Sequence, residues 1–173
     1  MQAAIRPATP DDAGAIAAIY AHHVLHGTAT FEELPPDAGE LARRQAEIVG
    51  RGLPYLVAEA EGRLLGYAYA GPLRPRSAYR FSLEDSIYLD PAATGQGLGR
   101  RLLDRLIVDC TAAGARQMVA VIGDSGNAAS IALHARAGFV HAGLLRSVGL
   151  KFGRWLDTVQ MQRPLGDGDA TLP

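Results

Sequence analysis

The chain has 173 residues, room for one domain with a buried core, and its 48% apolar and 20% charged content is that of a globular protein. With 17 basic and 18 acidic residues the net charge is -1, which offers no general electrostatic attraction to nucleic acid or to an anionic membrane. The single cysteine excludes an intrachain disulfide framework, and no apolar run approaches a membrane span, so a cytoplasmic protein is expected.

A short β-compatible segment, Ala3 to Arg6, comes first. Thr9-Pro10-Asp11-Asp12 then has the chemistry of a helix start: a hydroxyl cap, proline in the first turn, and acids at the positive end of the dipole. Ile16, Ile19, Tyr20 and Val24 continue at helical spacing to Gly27. Asp37 and Glu40 stand at capping-box spacing before a second helix, whose face is Leu41, Gln45, Ile48 and Val49. The period then changes. Tyr55–Ala60 and Arg63–Ala70, joined by Glu61-Gly62, read as a hairpin, and Arg80–Leu89 reads as a strand after a proline-broken loop. A helix is expected from Leu98 to about Ala113, a strand over Gln117–Ile122, and a short helix from about Asn127 to Ala137. Val140–Leu145 and Leu156–Gln162 are expected as closing strands, and the polar, glycine-rich 166–173 as a frayed tail after a domain of 1–165. Helices and strands interleave without strict alternation. That order argues for one mixed α/β domain, not a parallel dinucleotide-binding sheet.

The segment with the most chemistry is Thr94-Gly95-Gln96-Gly97-Leu98-Gly99-Arg100, between a strand ending at Asp90-Pro91 and a helix opening at Leu98. Alternate glycines let backbone approach a ligand and aim N–H groups at it, and a helix N-terminus suits a phosphate or pyrophosphate. Arg100 and Arg101 stand close enough to add charge-assisted contacts. By itself the run is equally a glycine-rich strand-to-helix turn. No Gly-Lys-Ser/Thr of a nucleotide P-loop is present.

A second pattern, Asn127-x-x-Ser130-x-x-x-His134-x-x-x-Gly138-Phe139, follows one strand and one helix later. Together with the glycine run it resembles the GNAT acetyltransferase superfamily over nearly the whole chain. The resemblance implies a twisted, mixed, mostly antiparallel sheet of about seven strands with about four helices. It also implies acetyl-CoA as acetyl donor: pyrophosphate on Gly95, Gln96, Gly97, Leu98, Gly99 and Arg100, the acyl-pantetheine arm along Ile87, Tyr88 and Leu89, with further contacts from Asn127 and Ser130. Thr94 departs from the pattern, standing where the family usually has Arg or Gln, so the backbone cradle remains while one side-chain contact is weakened.

Acetyl transfer to an amine needs a base for the ammonium, donors for the oxyanion and an acid for the thiolate. Glu84, just before the cofactor strand, is placed to be the base, although alone it reads equally as a half-exposed strand residue. His134 occupies the position where many members carry a tyrosine that protonates the thiolate. It titrates near neutrality, and without context a helix histidine is more often structural. The stretches Thr30-Phe31-Glu32, Arg74-Pro75-Arg76-Ser77-Ala78-Tyr79, Leu83-Glu84-Asp85-Ser86, 121–125 and 151–157 look like the phosphinothricin N-acetyltransferase branch. That branch acetylates the α-amine of phosphinothricin or of methionine sulfoximine and sulfone, with Glu84 and His134 at the positions of its proposed catalytic pair.

A dianionic amino-acid acceptor wants fork-shaped cationic donors, which Arg74 and Arg76 can supply unless they lie in a solvated loop. Phe31, Tyr79 and Trp155 can wall the pocket, Trp155 being alternatively core or dimer interface, and Ser86 can touch the acceptor. His22, His23, His26 and His141 have no comparable context, Cys110 reads as a buried thiol, and nothing clusters as a metal site. Homodimers are common in the family and one is expected. The alternatives are a peptide N-terminus, a lysine or an aminoglycoside as acceptor, or a non-catalytic acyl-CoA sensor.

Overall fold

A computed structural model describes residues 3–173. The described residues form one seven-stranded sheet in the order β1-β2-β3-β4-β5-β7-β6. The strands are β1 (Ala4–Pro7), β2 (Tyr55–Ala60), β3 (Arg63–Pro72), β4 (Ser82–Leu89), β5 (Gln117–Gly123), β6 (Val140–Lys151) and β7 (Arg154–Pro164). The helices are α1 (Ala13–His26), α2 (Ala38–Gly50), α3 (Leu98–Ala112) and α4 (Ala128–Arg136). Only the central pair β4/β5 is parallel; every other pairing is antiparallel. The expected mixed, mostly antiparallel sheet is what forms.

Strand parity divides the interior into two cores. Leu56 and Ala58 of β2, Ala68 and Ala70 of β3, and Met118 and Ala120 of β5 face α3, where Leu102, Leu103 and Leu106 fill the space above the small side chains. The opposite parity of the same strands, Tyr55, Val57 and Tyr67, packs against Ile16, Ile19, Tyr20 and Val24 of α1 and Leu41 of α2. Alanines let α3 sit close to the sheet, and tyrosines hold α1 and α2 further off. The second helix starts as its sequence predicts: the Asp37 carboxylate accepts the Glu40 N–H at 2.8 Å. Glu40 itself turns to Arg43 and Arg44.

Several boundaries differ from the sequence expectation. The last two strands run past Leu145 and start before Leu156, because Phe152-Gly153 makes a two-residue turn with both residues left-handed (φ 52° and 72°). Between Leu145 and Gly149 the β6/β7 register slips, Ser147 turns left-handed, and its N–H donates to the Asp157 carboxylate at 2.9 Å. This bulge breaks the alternation that would have marked the continuation. The strand read from Arg80 begins instead at Ser82, since the Arg80 N–H closes a 3-10 turn on the Ser77 carbonyl. Beyond Pro164 the chain forms turns to which Arg116 donates, at the Gly168 carbonyl and the Thr171 hydroxyl.

Candidate active site

The parallel pairing of β4 with β5 covers only Ser82–Asp85 against Gln117–Ala120. Beyond that rung each strand keeps its other neighbour: Ser86–Leu89 stay on β3, and Val121–Gly123 stay on β7. The strands therefore part, and the facing edges of Ser86–Leu89 and Val121–Gly123 lose the ladder partner that would satisfy their amides and carbonyls. A cleft of about 460 Å³ opens in the gap, bounded by these edges, the glycine loop and α4. The Leu89 carbonyl is taken by His23, whose Nε2–H donates at 2.8 Å. His23 lines the cleft, and burial draws its pKa down, opposed by that bond and reinforced by His22.

At the mouth of the cleft the glycine loop leads into α3. Gly95 and Gly97 are both left-handed, at φ 74° and 75°, and no atom lies within 4 Å of where their Cβ atoms would stand. The backbone conformation, together with open space on the ligand side, sets the demand for glycine here. Gly99 has a packing role, lying against Leu133 and Leu89. No acid stands in the first turn of α3, so its unpaired N–H groups and positive dipole end face the cleft without a competing negative charge. Of the residues expected at the donor, Ile87, Tyr88, Leu89, Gly95, Gly97, Gly99, Arg100, Asn127 and Ser130 line the cleft. Leu98 turns its side chain into the core. Gln96 folds back, donating to the Ala92 carbonyl at 3.3 Å.

Four side chains of this region are already engaged. Arg100 holds Asp104 at 2.7 Å and donates to the Arg136 carbonyl at the end of α4. Arg101 points away, to the Ala3 carbonyl. The Thr94 hydroxyl donates to the Pro91 carbonyl at 3.0 Å, so it braces its own loop. Asn127 caps α4, its Oδ1 accepting the Ser130 N–H at 3.2 Å.

Glu84 and Asp85 are consecutive on β4 and project to opposite faces of the sheet. Glu84, half-buried and opposite Gly71 and Val119, looks to the α1/α2 side. Burial raises its pKa, Arg74 pulls it down, and Asp85 pushes it up. Asp85 looks to the α3/α4 side, where its Oδ2 lies 3.0 Å from Nε2 of the buried His134. The other ring nitrogen, Nδ1, donates to the Ser130 carbonyl at 2.8 Å. Burial opposes charge on His134, yet Asp85 and that carbonyl outweigh it, and the pKa is raised. Glu84 and His134 therefore flank β4 from its two sides and do not meet. Asp85 escaped the sequence reading as a site residue. The signal was its parity: an acid in step with Leu83 and Ile87 on a face that should be apolar.

The residues expected around the acceptor are spread along the Glu84 side and the outer end of β5. Arg74 is exposed but acts on Glu84 through its charge. Arg76 and Tyr79 are exposed in the loop before β4, while Ser86 faces Tyr69 across β3/β4. Phe31 lays its ring on Gly149, where a Cβ would collide with it, and beside Gly123, where a Cβ would strike the Thr28 carbonyl. Its segment is held down by Lys151, whose buried ammonium donates to the Gly27 and Thr30 carbonyls at 2.8 and 2.7 Å. Asp124 adds a second tie, accepting from Thr28 at 2.9 Å and from Arg154 at 2.8 Å. Trp155, 65% exposed, is not core. Among the described residues no three His, Cys, Asp or Glu converge as metal ligands, and no helix is long and apolar enough to cross a membrane.

A split central β4/β5 pair beside a glycine loop and helix N-terminus defines an acyl-CoA-dependent transferase fold. The model of the Acetyltransferase (GNAT) family matches residues 16–139, and the chain belongs to that family. It is 62% identical over 169 residues to phosphinothricin N-acetyltransferase of Alcaligenes faecalis, covering 98% of this chain and 86% of that protein. It is 47% identical to the L-methionine sulfoximine/L-methionine sulfone acetyltransferase of Pseudomonas aeruginosa, covering 94% of each. Among solved structures, a phosphinothricin acetyltransferase from Sinorhizobium meliloti in complex with AcCoA superposes with a TM-score of 0.96. It is 52% identical, over 100% of this chain and 94% of that one.

Proposed function

We propose that the protein transfers acetyl from acetyl-CoA to the α-amine of a small, doubly anionic or strongly polar amino acid of the phosphinothricin, methionine sulfoximine or methionine sulfone type. The observation that carries this reading is the parting of β4 from β5 at Asp85, with Glu84 immediately beside it on the opposite face. Relatives named for these acceptors at 62% and 47% identity support the choice of substrate.

Acetyl-CoA supplies the electrophilic thioester carbonyl. The open edge of Ser86–Leu89 offers backbone N–H groups to the pantetheine amides and to the developing oxyanion, where fixed donors stabilise charge without reorganisation. Gly95, Gly97 and the first turn of α3 receive the pyrophosphate. Glu84 takes one proton from the acceptor's ammonium and passes it to solvent, and the freed amine attacks the thioester carbon directly in a ternary complex. The nitrogen's second proton leaves to Glu84 as the tetrahedral intermediate collapses. As the C–S bond breaks, His134 gives a proton to the departing sulfur. Arg74 and Arg76 draw the acceptor's anionic groups toward Glu84, with Phe31, Tyr79 and Ser86 shaping the space.

Such an enzyme would work in the cytoplasm, where acetyl-CoA is made, and would confer resistance to these amino-acid analogues by blocking their amines. We also assign a homodimer. Edge strand β6 and its hairpin expose Val140, Leu145, Val148, Leu150, Phe152 and Trp155, an apolar row that a monomer rarely leaves bare. Sedimentation at twice the 18.3 kDa chain mass is expected.

The acceptor is tested by following free thiol released from acetyl-CoA with phosphinothricin, methionine sulfoximine, methionine sulfone, N-terminal peptides, lysine and an aminoglycoside. The highest kcat/KM is expected among the first three. Thiol release with peptides alone would replace the acceptor, and none with any amine would replace catalysis by acyl-CoA sensing.

A further inference from the structure

His134 has no free ring nitrogen. Its Nδ1 faces the Ser130 carbonyl at 2.8 Å, an atom that only accepts, so Nδ1 carries a proton. Its Nε2 faces Asp85 Oδ2 at 3.0 Å. Two lone pairs at that distance would repel, so a further proton lies between nitrogen and carboxylate. The pair sits on the last rung before the strands part, since Asp85 is the final β4 residue paired with β5, opposite Ala120. Both side chains line the cleft.

Nor is Asp85 explained by stability. Its second oxygen, Oδ1, is buried with no hydrogen-bond partner among the described residues, an arrangement that costs stability. We infer that Asp85 is a positioning residue that holds His134 as an imidazolium at the apex of the cleft, which makes His134 the acid for the thiolate and removes it from the role of base. This rests on the acetyl-transfer reading above and assigns the division of labour within it.

The step balances. The Nε2–H bond breaks and an S–H bond forms on the departing thiolate, a stronger base than imidazole. His134 is left neutral with its Nε2 lone pair facing the Asp85 carboxylate, a repulsion that drives it to take a proton back from water. The other groups around the ring do not compete. Cys110 of α3 stays a thiol, its pKa pushed up to about 12 by burial and then by Asp85. Phe139 offers only its ring, Ser130 its carbonyl and an uncharged hydroxyl 3.4 Å from Nδ1, and Glu84 looks to the other face. Asp85 is the one charged side chain acting on His134.

Asp85→Asn keeps the shape and removes the charge, and its amide can instead donate to a neutral Nε2. Two measurements decide. In the unliganded wild-type protein, nitrogen NMR of the His134 ring is expected to show both nitrogens protonated at pH 7.5, with the ring reverting to a neutral Nδ1–H tautomer in Asp85→Asn. In the enzyme, Asp85→Asn is expected to lower kcat at pH 8 by about 10- to 100-fold and leave the KM for acetyl-CoA within about 2-fold, a split that merely loosened packing would not give. The alkaline limb of kcat should move to lower pH, because an acid is lost as pH rises through its pKa. A neutral His134 at pH 7.5 in the wild type, or an alkaline limb unmoved by the variant, overturns the inference. A wild-type protein with no turnover on any acceptor would instead overturn the acetyl-transfer reading, while the NMR result still judges the pair.

Discussion

Two neighbouring carboxylates on β4 meet different surroundings, and their difference organises the site. Glu84 is half-buried without an ion-pair partner within bonding distance, so burial pushes its pKa up and leaves it able to take a proton. Asp85, one residue on and through the sheet, is spent on His134 and holds a proton in place. On the proposed reading a single strand presents a proton acceptor on one face and, through His134, a proton donor on the other, beside the point where β4 and β5 part.

The sharpest way to break this comparison is Glu84→Gln. Turnover is expected to fall by about 10²- to 10⁴-fold with acetyl-CoA affinity nearly unchanged, and unchanged turnover would remove Glu84 from the chemistry. Stability should move the other way. A carboxyl whose folded pKa is raised loses stabilisation as pH rises through that value, so at neutral pH the charge is a burden that glutamine relieves. The melting temperature of Glu84→Gln at pH 7 is therefore expected to equal or exceed the wild type's.

Next in size is Gly97→Leu. Position 97 is left-handed with φ 75°, so a side chain brings both strain and bulk against the pyrophosphate, and the Kd for acetyl-CoA measured by calorimetry should rise by about 10-fold or more. Retained affinity would move the phosphate off this loop. Smallest is Arg74→Ala. Arg74 holds the Glu84 pKa down, so its loss should shift the acid limb of kcat/KM to higher pH while raising the KM for the acceptor. A shift to lower pH would mean that another group sets the limb.

Features encoded over short stretches were legible. The glycines at 95, 97 and 99 mark their turn and helix start, and the Asp37 cap and the Glu61-Gly62 hairpin fall where local chemistry puts them. The donor site emerged because Asn127 and His134 follow the loop at family spacing. What sequence could not show is pairing across distance. Asp85 and His134 are 49 residues apart, and only the packing of α4 against the sheet joins them. The parity Leu83, Asp85, Ile87 does carry the signal of an acid on a core-facing row, but that signal went unread. The same limit applies to His23, set aside as contextless, which reaches across 66 residues to the Leu89 carbonyl. The closing strands were cut short for a different reason: the bulge around Ser147 interrupts the period-two pattern that marks a strand.

The central claim is that Glu84 takes the amine's proton while Asp85 serves only the acid. It is tested most directly by the acid limb of kcat/KM, recorded with a phosphinothricin-type acceptor for wild type, Asp85→Asn and Glu84→Gln. The account predicts a limb above the ordinary carboxylate range in wild type, still present but at lower pH in Asp85→Asn, whose lost charge no longer pushes the Glu84 pKa up, and absent from the residual activity of Glu84→Gln. A limb that survives Glu84→Gln, or one that disappears in Asp85→Asn, would contradict it.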